Sequence, residues 1–308
     1  MLSRIGESLF WIGRYLERAD DTSRLLDVQM QVVVEDPSID EVETSRQLLS
    51  LMGIENYEGV PNRWTILDRL GTNTQSPASI AATIGQMREG ARGAREILST
   101  DIWAAINTTW QGVPAAVSMR PPEMFSWVRR RTAMISGIAE DTMPRDQGYY
   151  FYSLGRAIER ADMTARLLST AASAGGTHVA WPTTLRACGA YESFIRTYRG
   201  TETESAAAEF LLLDRWFPRS VVASLAEAES ALARLERHGR RAGFSDEAQR
   251  LLGRARTELE YRPLPEILDN LPFEMERLQR ACAAASDAVT ARYFAQEQWY
   301  LWKGRVSL

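Results

Sequence analysis

The sequence predicts an all-α protein, a bundle of ten or more helices built from two pseudo-symmetric repeats. Apolar side chains recur at three- and four-residue steps along most of the chain, which is the periodicity of amphipathic helices. Alternating apolar and polar runs are scarce, and the best strand candidate, Val32–Val34, lies at the end of a long helical run. A 14-residue motif also occurs twice.

Proline and glycine residues divide the helical pattern into segments. In the first segment, Ile12, Leu16, Ala19 and Leu26 share one apolar face. Several prolines fall just inside a predicted helix start, where the missing N–H breaks no hydrogen bond. The predicted helices span 5–34, 43–53, 63–70, 77–99, 101–110, 121–142, 147–173, 183–198, 203–215, 218–240, 245–258 and 264–298. No linker is long enough to divide them, so we expect one domain over 1–308.

The repeated motif reads GRYLERADDTSRLL at residues 13–26 and GRAIERADMTARLL at residues 155–168. Ten of the fourteen positions are identical at a constant offset of 142. A weaker echo follows in the same order, with LDR at 67–69 and PASI at 77–80 matching LDR at 213–215 and PRSV at 218–221. We therefore predict one repeat over about 1–145 and another over about 146–308, with the two motif helices packed across a pseudo-two-fold axis.

Five of the ten residues shared by the two motif copies are charged, whereas duplicated units normally keep their apolar residues and lose their surface charges. Helical spacing would allow the pairs Arg14–Glu17, Arg18–Asp21 and Asp20–Arg24. Asp21 is replaced by Met163 in the second copy, so Arg160 lacks that partner, and we infer that it reaches another helix or a ligand. The candidate site residues are Arg14, Glu17, Arg18, Asp20, Arg24, Arg156, Glu159, Arg160, Asp162 and Arg166.

Three interpretations of these charges remain open. They could form a solvated stripe of weak ion pairs, a buried network that fixes the register of the two helices, or a ligand site where the two stripes face each other. The interleaved arginines would repel a metal and suit an anionic or carboxylate-bearing ligand such as a peptide terminus. We predict no metal and no cofactor. Secondary candidates are Asp68, Arg69, Asp214, Arg215 and Arg219.

Composition excludes several classes of protein. Lys303 is the only lysine beside 35 arginines, so a lysine nucleophile or phosphate-binding loop is not expected. Two cysteines and two histidines are too few for a disulfide framework or a zinc site. The net charge of −4 argues against a nucleic-acid binder. The chain has no run of about 18 apolar residues and no secretory pattern at residues 1–24, so we expect no membrane span and a cytoplasmic location.

The remaining candidates are mostly structural. Cys188 is expected to be buried and inert, and Ser79 and Ser220 are expected to begin helices, since no histidine lies nearby to activate a hydroxyl. Aromatic residues at 299–302 lie in an extension, 295–308, that either packs on its own domain or docks onto a partner. The tryptophans expected on core-facing helix surfaces are Trp11, Trp103, Trp110, Trp127 and Trp216.

Taken with the proline motifs, the duplicated sequence resembles the alpha-E domain family, an all-α family named for its Glu-Arg motif. The resemblance covers about 1–294. Glu17-Arg18 and Glu159-Arg160 match the motif that names the family. The first proline motif has Ala78 where the second has Arg219, so the two halves depart from each other there. Supporting segments are 77–80, 92–107, 137–146 and 217–221.

The resemblance implies a functional setting. Alpha-E proteins typically occur beside, or fused to, ATP-grasp amide ligases and transglutaminase-like cysteine peptidases. The implied role is a helical partner in ATP-dependent peptide synthesis or modification, which binds the ligase, the peptidase or an anionic or peptide substrate. A competing hypothesis is an enzyme with Glu17 or Glu159 as acid/base and the arginines orienting the substrate. A third is a metal-binding bundle.

Overall fold

The protein is described by a computed structural model that covers residues 2–55, 57–173, 180–199, 203–236 and 246–294. These ranges contain fourteen α-helices and no strand, which confirms the all-α prediction. The helices are α1 (Ser3–Glu35), α2 (Glu41–Leu51), α3 (Arg63–Ile66), α4 (Ile80–Gly93), α5 (Thr100–Ala116), α6 (Pro121–Thr142), α7 (Gln147–Ser173), α8 (Ala180–Ala187), α9 (Tyr191–Tyr198), α10 (Glu204–Leu213), α11 (Val221–Leu235), α12 (Glu247–Tyr261), α13 (Leu264–Leu268) and α14 (Leu271–Val289). Short π-helical turns follow α3, at Leu67–Thr72, and α14, at Thr290–Phe294.

Each half of the chain forms a bundle of four main helices around its motif helix. In the first half, α1 packs on α4 and α6, and α5 closes the bundle against both of those helices. In the second half, α7 packs on α11 and α14, and α12 closes the bundle in the same way. The helix order is therefore the same in both halves, as expected for two pseudo-symmetric repeats.

The two bundles join along α1 and α7. Gly13 of α1 lies against Tyr152 of α7, and Glu17, further along α1, contacts Arg160, further along α7. Residue numbers thus increase in the same direction on both helices, so the helices are parallel. Gly13 and Gly155 lie where the backbones meet most closely, since a Cβ on Gly13 would overlap the Tyr152 carbonyl oxygen. A Cβ on Gly155 would overlap the carbonyl oxygen of Phe10 in the same way. This crossing sets the level at which the two charged stripes face each other.

Two predicted helices are interrupted in the structure. The predicted helix over 183–198 is two helices, α8 and α9, because the backbone at Gly189 turns with a φ of +62°. The predicted helix over 264–298 is divided into α13 and α14, and Pro272 lies in the first turn of α14. The fold class did not depend on either boundary.

Trp216 was expected in the core and is instead 94 % exposed. The Asp214 carboxylate accepts the backbone N–H groups of Trp216 and Phe217, which ends α10 and turns this segment. Phe217 takes the inward position and is buried. Trp110 is also exposed, whereas Trp11, Trp103 and Trp127 are half-buried against the core.

Candidate functional site

The two Glu-Arg motifs exchange partners between the motif helices. The Glu17 carboxylate of α1 accepts hydrogen bonds from the Arg160 guanidinium at 2.9 Å and from Arg156 Nε at 3.2 Å, both on α7. The Glu159 carboxylate of α7 accepts one from Arg14 Nε of α1 at 2.6 Å and others from Arg18. Each glutamate is thus held by the arginines of the opposite helix.

This exchange replaces two of the three pairs that helical spacing allowed. Arg14 contacts Glu159 rather than Glu17, because Arg14 points across the helix crossing rather than along its own helix. Arg18 also reaches Glu159, and no bond to Asp21 forms. The Asp20–Arg24 pair does form, at 2.8 Å.

The arrangement of Asp20 and Arg24 is repeated in the second half. Arg166 Nε donates to Asp162 at 2.8 Å. Arg166 also donates to the carbonyl oxygen of Leu51 at the end of α2, at 2.9 Å. The ten primary candidate residues therefore form ion pairs in three groups along the α1–α7 contact, around Glu17, around Glu159 and at Asp162–Arg166, which together are called the Glu-Arg network.

Burial and charge act against each other on the two motif glutamates. Glu17 is 2 % exposed and Glu159 is 3 % exposed. Burial would raise the pKa of both carboxyls, but the facing arginines outweigh it. Arg14 and Arg18 lower the pKa of Glu159 to about 2, and the pKa of Glu17 also lies well below its usual range. Both glutamates are ionised and paired at neutral pH.

Arg219 of the second repeat joins the group around Glu17, and its acidic partners all belong to the first repeat. It lies just before α11, in the proline motif, and forms salt bridges with Glu17 at 2.9 Å and with Asp20 and Asp21. Its counterpart Ala78 carries no charge, and the counterpart of Asp21 is Met163. Arg219 of the second repeat and Asp21 of the first therefore form one contact between the repeats, and the equivalent residues Ala78 and Met163 carry neither charge.

Asp21 is the carboxyl whose ionisation is most affected by this asymmetry. Burial raises its pKa to about 7, because the charges of Glu17 and Asp20 add to burial and exceed the opposing effect of Arg219. The folded protein therefore retains the Asp21 proton up to about pH 7, whereas the unfolded chain loses it near the ordinary pKa of aspartate. Stability falls as pH rises through that window.

We predict that Asp21→Asn removes part of this pH dependence. The wild type should lose more unfolding free energy between pH 5 and pH 8 than the variant, since an amide at residue 21 does not titrate and its oxygen can still accept from Arg219. Urea unfolding at several pH values measures the difference. Equal slopes for the two proteins would show that Asp21 is already ionised at pH 5.

Glu17, Asp20 and Asp21 are also the one group of three potential metal ligands found among the described ranges. Their carboxylate oxygens lie within 4.8 Å of one another. The Arg219 guanidinium bonds to all three, so a permanent cation already lies between them. This donor set fits a guanidinium better than a divalent ion.

The secondary candidates other than Arg219 lie away from the network. Asp68 and Arg69 are exposed and face each other at 3.8 Å. Arg215 is exposed and pairs with Glu260 of α12 at 3.0 Å. Asp214 accepts backbone N–H groups in its own turn. None of these four contacts a motif residue.

The turn before α11 also corrects the alignment of the weaker repeat. Ser79 and Ser220 cap α4 and α11 by accepting the N–H of Ala82 and Ala223. Each serine donates to a carbonyl six residues earlier, that of Asn73 or Asp214. Asp214 therefore corresponds to Asn73 and not to Asp68.

Several contacts of the network could not be found from the motif. Thr132 of α6 donates to Asp20 at 3.0 Å, and Arg14 donates to Ser286 of α14 at 2.7 Å. Glu227 of α11 lies 3.4 Å from Arg160. These residues come from helices whose sequences do not repeat, so no internal comparison identifies them.

The remaining sequence candidates divide between the core and segments outside the described ranges. Cys188 is buried, and burial raises its pKa to about 12, so it remains a thiol at neutral pH. Both histidines and the aromatic residues at 299–302 lie outside the described residues. Within the described ranges, no helix has the length and apolar character needed to cross a bilayer.

Two mycobacterial proteins are similar in sequence to this chain. The chain is 27 % identical over 252 residues to the uncharacterized protein Rv2567 of Mycobacterium tuberculosis and to the uncharacterized protein Mb2597 of Mycobacterium bovis. The match covers 72 % of this chain but only 28 % of each relative, so the chain spans little more than a quarter of their length. No solved structure matches.

The family comparison covers almost the whole described chain. Residues 1–294 match Alpha-E, which is described as "a predicted alpha-helical domain with a conserved ER motif". In this chain the two Glu-Arg pairs are the residues that exchange partners across the α1–α7 contact. The chain belongs to the Alpha-E family.

Proposed function

We propose that this protein is a helical partner of an ATP-grasp-type amide ligase and binds the ligase or its peptide substrate. The observation that carries the proposal is the internal pairing of the Glu-Arg motifs. Each motif glutamate is buried and bonded to two arginines of the opposite helix. Because these charged residues are buried and paired with one another, they fix the contact between the two halves. The outer surfaces of the protein are then left to bind a partner.

The relatives support a role in a larger assembly. In both mycobacterial proteins the matched region is a minor part of a much longer chain. A domain that shares a chain with a larger remainder is suited to work beside other domains. The ligase, or a transglutaminase-like peptidase, is proposed from the setting that the Alpha-E resemblance implies.

The alternative, catalysis at the paired stripes, fits the electrostatics less well. A general acid or base works best when its pKa lies near the working pH. The arginines hold the pKa of Glu159 at about 2, so its carboxylate is a weak base and is not a proton donor at neutral pH. No described observation favours this alternative over the partner role.

Co-expression with a neighbouring ATP-grasp-type ligase tests the proposal. We expect the two proteins to elute together in size-exclusion chromatography and the complex to form peptide bonds faster than the ligase alone. Trp216→Ala removes a 94 % exposed aromatic side chain without touching the core, and Gly85→Ala serves as a matched surface control. Separate elution together with full ligase activity in the absence of this chain would contradict the proposal. So would peptide turnover by this chain alone.

A further inference from the structure

A cavity of about 460 Å³ lies at the far end of the two motif helices, away from the Gly13–Gly155 crossing. It is enclosed by α1 and α2 of the first half and by α7 and α8 of the second. Its volume falls within the range of roughly 300–1,000 Å³ that is typical of small-molecule sites. Among the described lining residues, none contributes a side chain to the Glu-Arg network, and the Leu51 carbonyl oxygen accepts from Arg166.

The cavity lies on the pseudo-two-fold axis. Leu25 of α1 and Leu167 of α7 both line it, and they are equivalent residues of the repeated motif. Four further pairs on α2 and α8 line it at a constant offset of 136, namely Thr44/Ala180, Gln47/Thr183, Leu48/Thr184 and Leu51/Ala187. The two halves therefore contribute matched walls, and neither half encloses the cavity alone.

The inner wall is mostly apolar, although buried Thr183 and Thr184 also line it, and the rim is acidic. Buried Leu25, Leu48, Leu167 and Ala171 line the interior. The rim carries three carboxylates, all from the segment that joins α1 to α2 and from the start of α2, and they are Asp36, Asp40 and Glu43. Of the described residues, no arginine lines this cavity, although the chain has 35 arginines.

Within the described part of the chain, two of the rim carboxylates accept hydrogen bonds through only one of their two oxygen atoms. Asp36 accepts from Ser38 through Oδ1, and Asp40 caps α2 through Oδ1. Their Oδ2 atoms form no hydrogen bond or salt bridge within the described ranges. Glu43 is different, since Arg46 lies 3.4 Å away. Asp36 and Asp40 thus leave unneutralised negative charge at an apolar opening.

We propose that this cavity binds a protonated aliphatic amine, with the alkyl chain against the leucines and the ammonium group between Asp36 and Asp40. An ammonium group supplies the donors that the free Oδ2 atoms lack. Burial of the methylene groups against the leucines adds hydrophobic stabilisation. The amine belongs either to a free alkylamine or to the lysine side chain of a peptide. This site is independent of the proposed partner role.

A neighbouring cavity provides a contrast. It has a volume of about 650 Å³, adjoins the 460 Å³ cavity along α2 and shares Glu43 with it, and is also lined by Arg46, Arg166 and Glu55. Its mixed charges offer no comparable preference for a cation. Glu55→Gln in that cavity is therefore a suitable control for charge changes in the 460 Å³ cavity on the pseudo-two-fold axis, here called the axial cavity.

Calorimetric titration of the purified chain tests the site with pentylamine, pentanol and pentanoate, which share one alkyl length. Pentylamine should bind at one site, pentanol at least tenfold more weakly, and pentanoate not measurably. A lysine-containing peptide and its norleucine counterpart form the second arm. Tighter binding of the lysine peptide than of pentylamine identifies a peptide as the source of the amine, and the reverse identifies a free amine.

The variant for this test is the double change Asp36→Asn and Asp40→Asn, because asparagine caps a helix as well as aspartate does. It should weaken pentylamine binding about tenfold and reduce its salt dependence, whereas Glu55→Gln should leave both unchanged. Equal binding of pentylamine and pentanol, unaltered affinity in the double variant, or no amine binding would overturn the proposal. Because no ligase is present, failure of the ligase complex does not affect this result.

Discussion

Adding one methyl group at the helix crossing is expected to destabilise the protein severely. In Gly13→Ala the new Cβ would overlap the Tyr152 carbonyl oxygen, which belongs to the backbone of α7 and cannot rotate away. The helices would have to separate, which loosens the leucine packing and lengthens every arginine–glutamate bond between them. We expect a loss of about 3 kcal/mol or more in the free energy of unfolding, the upper part of the range for overpacked cores.

Helical glycines at open positions provide the matched controls. At Gly85 of α4 and Gly137 of α6, no neighbouring atom lies within 4 Å of the place that a Cβ would occupy. Alanine at either residue should stabilise the protein by roughly 0.5–1 kcal/mol, since alanine favours a helix more than glycine does. Urea unfolding of Gly13→Ala, Gly155→Ala and the two controls measures the contrast. If Gly13→Ala behaved like Gly85→Ala, the close crossing would not exist in solution.

Neutralising Glu17 is expected to have the second large effect. Glu17→Gln removes the charge to which both Arg156 and Arg160 are bonded, and it also removes one of the acids that holds Arg219. Breaking a buried pair by changing one partner costs about 3–5 kcal/mol, because the remaining charges stay buried without compensation. We expect a loss in this range, measured by chemical unfolding at pH 7.

One exposed ion pair and a double-mutant cycle test whether burial causes the large loss of stability expected for Glu17→Gln. Glu276→Gln breaks an exposed pair with Arg280 at 2.6 Å and should cost less than about 1 kcal/mol. The double variant Glu17→Gln/Arg160→Met should lose less than the sum of its two single variants, since it no longer leaves Arg160 facing an amide. A Glu17 effect as small as that of Glu276 would assign the network to the solvated surface.

The sequence was sufficient for the fold class, because helical periodicity is local and the 13–26 and 155–168 segments match almost residue for residue. It also singled out ten of the charged residues that form ion pairs along the α1–α7 contact, but not Asp21 or Glu227. It could not identify their partners. From the sequence alone, Arg14 could pair with Glu17 on its own helix or with Glu159 on the other motif helix. The close helix crossing at Gly13 brings Arg14 to Glu159.

Two further features depended on tertiary contacts. Trp216 occupies an apolar position of the sequence pattern, yet the Asp214 turn ends the helix before it and leaves the side chain in solvent. The axial cavity is formed by four helices from both halves. Its equivalent residues on α2 and α8 differ in type, so comparison of the halves does not reveal it.

The exchange of arginines between α1 and α7 has a consequence for the history of the chain. A single ancestral repeat could not satisfy its own glutamate, because the arginines that bind Glu17 belong to the other copy. Such a repeat would have formed these bonds only as a homodimer, in which every residue change appears on both sides of the symmetry axis. Fusion of two copies removed that constraint. The Arg219–Asp21 contact, with Ala78 and Met163 at the equivalent positions, is a divergence that two identical copies in a homodimer could not acquire.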